Sequence, residues 1–303
     1  MHPAAKPADN NLVRARTTLG DMELTVCTDG SYLLDGGAMF GVVPKPLWEK
    51  RAPADESNRI LLGLNTVVVR TGKHTVVIET GIGNKQNDKM RAIHCNQESL
   101  PQSLAAAGVT PEEVDIVINS HLHFDHCGWN TTLRLDGTVI PTFPNARYVA
   151  HRGEVEHGHL QLERDRVSYL SDNYDPLIAS GQMTLLDIRE GETEEIVPGI
   201  SVELYPGHTA QLMAVHIESK SLGGAARRAC YVSDLIPTST HLDTTWVMGY
   251  DLYPLTVIEQ RKRFYARAIP EQWLVLFTHD HHVPMGYVER DAKGKPVMKA
   301  PIT

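Results

Sequence analysis

Along this 303-residue chain the apolar positions fall mostly in short runs rich in Val, Ile and Leu, each bounded by Gly, Pro, Asn or Asp. Such runs mark sheet strands, whereas long amphipathic helices would repeat apolar residues every three to four positions. Residues 22–28 alternate as a strand with one buried face does. The β-branched runs 61–70 and 74–79 are separated by Thr71-Gly72-Lys73 and predict a hairpin. Further strands are predicted at 114–119, 146–150, 200–205, 213–218, 229–233 and 273–278. Helical composition is confined to three stretches: 98–107, closed by Gly108; 152–170; and 255–268. In the last, Leu255, Ile258, Phe264 and Tyr265 form an apolar stripe, and Arg261, Lys262 and Arg263 are expected to face solvent. Residues 35–48 are punctuated by Gly and Pro yet carry Met39, Phe40 and Trp48, which predicts a loop that covers something. Residues 165–191 are polar and poorly periodic, and are expected to be an insertion near the functional site. Residues 1–20 are expected to be a polar tail, and 21–303 one domain of α/β class.

Composition narrows the function. The chain is 42% hydrophobic and 22% charged, as ordinary globular proteins are. Its formal charge is −8 with the basic residues scattered, so no cationic groove is available and nucleic acid is excluded as a partner. No apolar run has the length of a membrane span and the first residues lack a signal-like core, so no membrane association and a cytoplasmic location are expected. Cys27, Cys95, Cys127 and Cys230 lie far apart without a C-x-x-C pair and read as reduced packing residues.

The chemistry is concentrated in His121-Leu122-His123-Phe124-Asp125-His126, three imidazoles and a carboxylate directly after the 114–119 run. Imidazole and carboxylate without thiolate suit zinc and other divalent first-row metals, and such sites keep a position open for water or substrate. Three more donors end predicted strands: His208 after Tyr205-Pro206-Gly207, Asp234 after Tyr231-Val232-Ser233, and His279 after Leu276-Phe277-Thr278. His282 competes with His279, but only His279 directly follows the apolar run. His151, His157, His159 and His281 are expected to be surface or supporting residues.

In this order, H-x-H-x-D-H, G-H-T, a single Asp and a late His, the chain resembles the metallo-β-lactamase superfamily. The resemblance implies an αβ/βα sandwich of two mixed sheets flanked by helices, with a dinuclear site at one edge. It implies that His121, His123 and His208 hold one metal, that Asp125, His126 and His279 hold the other, and that Asp234 bridges both. Flavo-diiron members carry Glu where this chain has His123, which favours two Zn2+ ions and hydrolysis. Residues 37–48, 58–65 and 233–238 are similar to those of quorum-quenching N-acyl-homoserine lactone lactonases and their methyl-parathion-hydrolase-like relatives. Three departures stand out. Pro237 occupies the place of a lactonase Tyr that polarises the lactone carbonyl. Gln211 replaces a small residue two positions after Thr209. Glu79 replaces the Asp of a D-T-G turn.

The activity this implies is hydrolysis of a small-molecule lactone or ester by water activated between two metals, with no protein nucleophile. No Ser-His-Asp triad with an elbow motif is visible. Asp125 is the expected proton donor to the leaving alkoxide, since Asp234, bridging two cations, stays ionised. Met39, Phe40, Val42, Trp48, Leu64, Trp129, Trp246 and Tyr250 are candidates to line an acyl pocket, and His241 or Tyr250 to replace the missing phenol. Phosphotriester hydrolysis and glyoxalase-II-type thioester hydrolysis are the competing activities, and metal-stabilised binding without turnover is the non-enzymatic one. A homodimer is expected.

Overall fold

The computed structural model describes residues 11–219 and 227–302. In chain order, β1 (Val13–Leu19), β2 (Met22–Asp35), β3 (Arg59–Arg70), β4 (Thr75–Ile78) and β5 (Ile116–Ile118) begin a first sheet. A small separate hairpin, β6 (Thr131–Leu133) with β7 (Val139–Pro141), follows, and β8 (Arg147–His151) and β9 (Met183–Leu186) complete that sheet. The second sheet is β10 (Thr193–Val197), β11 (Ile200–Leu204), β12 (Met213–Ser219), β13 (Arg227–Tyr231), β14 (Leu274–Leu276), β15 (Met285–Arg290) and β16 (Pro296–Ile302). The pairings β4–β5, β5–β8, β8–β9 and β13–β14 are parallel and the rest antiparallel, so both sheets are mixed.

Side-chain parity builds the layers. Val67 and Val69, Val76 and Ile78, and Ile116 and Ile118 point toward the second sheet, where Val202, Val215, Ile217, Leu274 and Leu276 meet them. The intervening residues Val68, Val77 and Val117 point outward and pack against Leu100 and Leu104 of the helix Leu100–Ala106. Val275, between Leu274 and Leu276, likewise faces outward, onto Phe264 and Tyr265 of the helix Pro254–Ala268. Strands buried on both faces read as continuous apolar runs, which is why the interior of each sheet is visible in the sequence. The result is the αβ/βα sandwich.

Four expectations are corrected. Val13–Leu19, expected within a tail, pairs antiparallel with β2 as an edge strand; residues 1–10 of that tail lie outside the described residues. The helix expected over 152–170 stops at Leu160, because Gln161 adopts a left-handed conformation at φ 49°, and tight turns follow at Arg166–Ser168 and Ser171–Asn173. Residues 165–191 are not a mere insertion, since they include the helix Asp175–Ala179, the sheet's edge strand β9, and Tyr169, Tyr174 and Leu177, buried against the outer face. In the helix Pro254–Ala268 the expected faces are partly exchanged. Leu255 is 78% exposed, while Arg261 is fully buried and donates to the carbonyls of Leu235, His241 and Trp246. Residues 35–48 do cover something, as two short helices, Gly36–Phe40 and Lys45–Trp48, whose Met39, Phe40 and Trp48 pack on Ile60, Leu62 and Leu64. No helix among the described residues is long and apolar enough to cross a membrane.

Candidate metal centre

The histidine motif leaves the C-terminal end of β5 in the first sheet, and His208, Asp234 and His279 follow β11, β13 and β14 in the second. These ends open on the same edge of the sandwich, so donors distant in sequence converge there. Backbone hydrogen bonds fix the loops: Ser120 O accepts from Met213 N at 2.9 Å, and Pro237 O accepts from His279 N at 2.9 Å. Gly207 is held at φ +147° with its backbone against Val257, where any side chain would collide.

Three overlapping groups result: His121, His123 and His208; His121, His126 and Asp234; and Asp125, His126 and His279. Within each, the donor atoms lie within 4.8 Å of one another. Asp234 sits between them, its Oδ2 3.1 Å from His208 Nε2 and 3.5 Å from His126 Nε2, its Oδ1 3.2 Å from His279 Nε2. All but Asp125 are buried.

Most of the rings are gripped from behind. His121 Nδ1 lies 2.9 Å from Ser120 Oγ, His208 Nδ1 3.0 Å from Asp251 Oδ1, His279 Nδ1 3.0 Å from Gly63 O, and His126 Nδ1 3.4 Å from Glu79 Oε2. That leaves each Nε2 to face the centre, the arrangement that orients metal-binding imidazoles. His123 differs, turning its Nδ1 toward His208 Nε2 at 3.1 Å. Glu79, one methylene longer than the Asp it replaces, adopts φ +61° and also accepts from Ser120 N at 2.7 Å.

Burial, followed by the neighbouring imidazoles, pushes His121 well below the ordinary histidine range, and burial with His208 does the same to His123. For His126 and His208 burial acts in the same direction but is outweighed by Asp234 and further carboxylates, and both are raised. Burial would raise Asp234, yet His279, His126 and His208 hold it well below the usual carboxylate range. His121 Nε2, His123 Nε2 and Asp234 Oδ1 are buried without a hydrogen-bond partner. Orphaned polar atoms at one point are costly unless a ligand satisfies them. A divalent ion fits this donor set.

A cavity of about 470 Å³ opens onto the centre, with His123, Asp125, His208, Asp234 and His279 at its floor. Its walls include Leu34, Met39, Met90, Phe124, Met248 and Tyr250. Of the expected pocket residues, Met39 and Tyr250 therefore line it. Phe40, Trp48, Leu64, Trp129, Trp246 and His241 do not. Phe40 is sandwiched between Trp48 and His241, with ring centroids 5.1 and 4.6 Å away. His241 is spent on Met39 O at 2.9 Å and Thr238 Oγ1 at 2.8 Å. Trp129 belongs to the helix-covered core and donates its indole N–H to buried Asp29. Leu64 is core, Trp246 lies under the Arg51 guanidinium, and Val42 is 89% exposed. His151 caps a helix, His157 and His159 pair with Asp165 and Asp175, and His282 is exposed.

Two residues at the centre have no signal in the sequence. Tyr32, fully buried on β2, donates its hydroxyl to Asp125 Oδ2 at 2.8 Å and lies 3.3 Å from His279 Nδ1. Asp251, from the loop before the helix Pro254–Ala268, holds His208 and also accepts from Met248 N at 2.8 Å.

The model of the metallo-β-lactamase superfamily matches residues 60–279, and the chain belongs to that superfamily. Among characterised relatives it is similar to N-acyl homoserine lactonase AiiB of Agrobacterium fabrum, 24% identical over 71% of this chain and 75% of that protein. It is 25% identical to an N-acyl homoserine lactonase of Bacillus thuringiensis over 61% of this chain, spanning 63% of that enzyme's length. Among solved structures, a probable metal-dependent hydrolase from Staphylococcus aureus superposes with a TM-score of 0.81 at 29% identity, covering 95% of this chain and all of that one. AidC, a dizinc quorum-quenching lactonase in complex with a product, superposes at 0.76 over 97% of this chain and all of that one, with 19% identity.

Proposed function

We propose that this protein is a dinuclear metal hydrolase that opens lactone rings, with N-acyl homoserine lactones as its substrate class. The observation that carries the reading is the position of Asp234, with one oxygen toward His279 and the other toward His208 and His126, at the floor of an apolar cavity. The similarity to lactonases supports the same class.

His121, His123 and His208 would hold one ion and Asp125, His126 and His279 the other, with Asp234 shared between them. When bound, two divalent ions, zinc by the chemistry of the donors, lower the pKa of a shared water and stabilise charge on the lactone's oxygens. The chain does the rest. The cavity takes the acyl group and excludes water from it, while Tyr32 orients Asp125 by donating to Oδ2. Asp125, which burial would neutralise but His126 and His279 keep ionised, would take up the proton released by the attacking water and pass it to the ring oxygen as that leaves.

A panel of acyl-homoserine lactones, aryl phosphotriesters and thioesters, compared by kcat/KM with metal content measured on the same sample, tests the class. Lactones should lead. Leadership by phosphotriesters or thioesters would replace this reading. Asp234→Ala should lose both turnover and bound metal, and normal turnover in that variant would remove the bridging role.

A further inference from the structure

Facing Phe124 across the cavity wall is a histidine that plays no part in gathering metal. His94 ends the helix Asp88–His94, is 6% exposed, and lines the cavity. Its ring stacks on Phe124 with centroids 5.3 Å apart and an angle of 14°, and meets the edge of Tyr32 at 6.0 Å. Its Nδ1 lies 2.6 Å from Gln86 Oε1, itself buried. With the amide oxygen of Gln86 as acceptor, Nδ1 is the donor of this contact and Nε2 keeps a lone pair, for which no partner stands among the described residues. Burial lowers the basicity of the ring, so the imidazole is neutral. Nothing in the packing of Phe124 or Tyr32 needs a nitrogen here, and a phenyl ring would fill the same space without the cost of burying a polar atom.

We infer that His94 is a specificity residue whose Nε2 accepts the amide N–H that separates the lactone ring from the acyl chain. The inference rests on the lactonase reading above and deepens it. An acyl-homoserine lactone carries one polar group in an otherwise apolar tail, beside the ring. His94 supplies an acceptor where its ring lies between Phe124 and Tyr32, beside the floor that would hold the ring. A site built around a hydrogen bond rejects an analogue lacking the partner far more strongly than an apolar pocket rejects a change in shape.

The test compares N-hexanoyl-homoserine lactone with α-heptyl-γ-butyrolactone, which has the same ring and tail length but no amide. Wild type should prefer the amide substrate, and His94→Phe, which retains the ring stack, should reduce that ratio of kcat/KM about ten- to hundredfold. His94→Gln, which restores an acceptor, should recover part of the ratio. Equal ratios in wild type and His94→Phe, with both lactones hydrolysed, would overturn the role of His94 and leave the lactonase reading standing. Failure of metal-loaded wild type on both lactones would overturn the lactonase reading and this inference with it.

Discussion

At the scale of single residues, the centre depends as much on what stands behind the imidazoles as on the imidazoles themselves. Asp251 is the clearest case, since both oxygens are committed, one to His208 Nδ1 and the other to Met248 N. Partners of this kind typically govern metal affinity by 10- to 100-fold. Asp251→Ala is therefore expected to weaken the ion held by His208 by about that factor, measured by competition with a chromophoric chelator, with the other ion less affected. Tyr32→Phe deletes the only hydroxyl donating to Asp125 among the described residues. A hydrogen bond to a charged group contributes about 1.5–3 kcal/mol, so kcat should fall about tenfold or more with KM little changed. An unchanged kcat would mean that Asp125 is held adequately by its other neighbours. Neither residue is legible in the sequence. The contiguous motif announces itself because one loop carries several donors, whereas Tyr32 and Asp251 acquire their roles only when β2 and a distant loop are brought to the same edge.

Strands and helices were legible to the degree that they bury both faces. Interior strands such as β3, β4, β5 and β14 stand out as runs rich in Val, Ile and Leu. The edges β1, β10 and β16 do not, because an edge strand is blunted with polar and charged residues or Pro, as in Glu194 and Glu195 of β10 or Pro296 of β16, and the edge β9 is short, only Met183–Leu186. The helix Pro254–Ala268 was placed correctly but its faces were not, because Arg263 and Arg267 are bound to the second sheet rather than to water. Both engage Glu203 of β11, Arg267 Nη1 at 2.7 Å, and His216 Nε2 of β12 is 3.0 Å away. Burial would raise Glu203, but His216 and Arg267 outweigh it and hold the carboxyl down to about 2. A carboxylate depressed in the folded state adds stability above its unfolded value near pH 4.5, and loses it as pH falls toward 2. With the arginines partly exposed, Glu203→Gln should cost about 1–2 kcal/mol at pH 7. Urea midpoints of the two proteins should differ at pH 7, draw together below about pH 4.5 and converge only as pH falls to about 2; a difference undiminished at pH 2 would show that geometry, not charge, holds the contact.

For the whole molecule, the decisive feature is that the centre draws on both halves of the sandwich. The histidine motif hangs from the first sheet, and His208, Asp234 and His279 from the second. An ion shared by these groups would tie the two sheets together at the edge where the strand ends leave them without hydrogen-bonded neighbours. In its absence the same edge holds buried, orphaned nitrogens and a carboxylate whose charge only the neighbouring rings offset. Binding to the folded form alone stabilises by RT ln(1 + [L]/Kd), about 4 kcal/mol when free metal exceeds Kd a thousandfold. For a chain of this size that corresponds to a rise in Tm of about 6 °C. The measurement is a thermal melt of chelator-stripped protein before and after one and two equivalents of zinc. A rise in two stages would match two groups of donors meeting at Asp234, and Asp234→Ala should diminish it. A melt indifferent to zinc would mean that these side chains meet for reasons other than metal, and the hydrolase would lose its source of activated water.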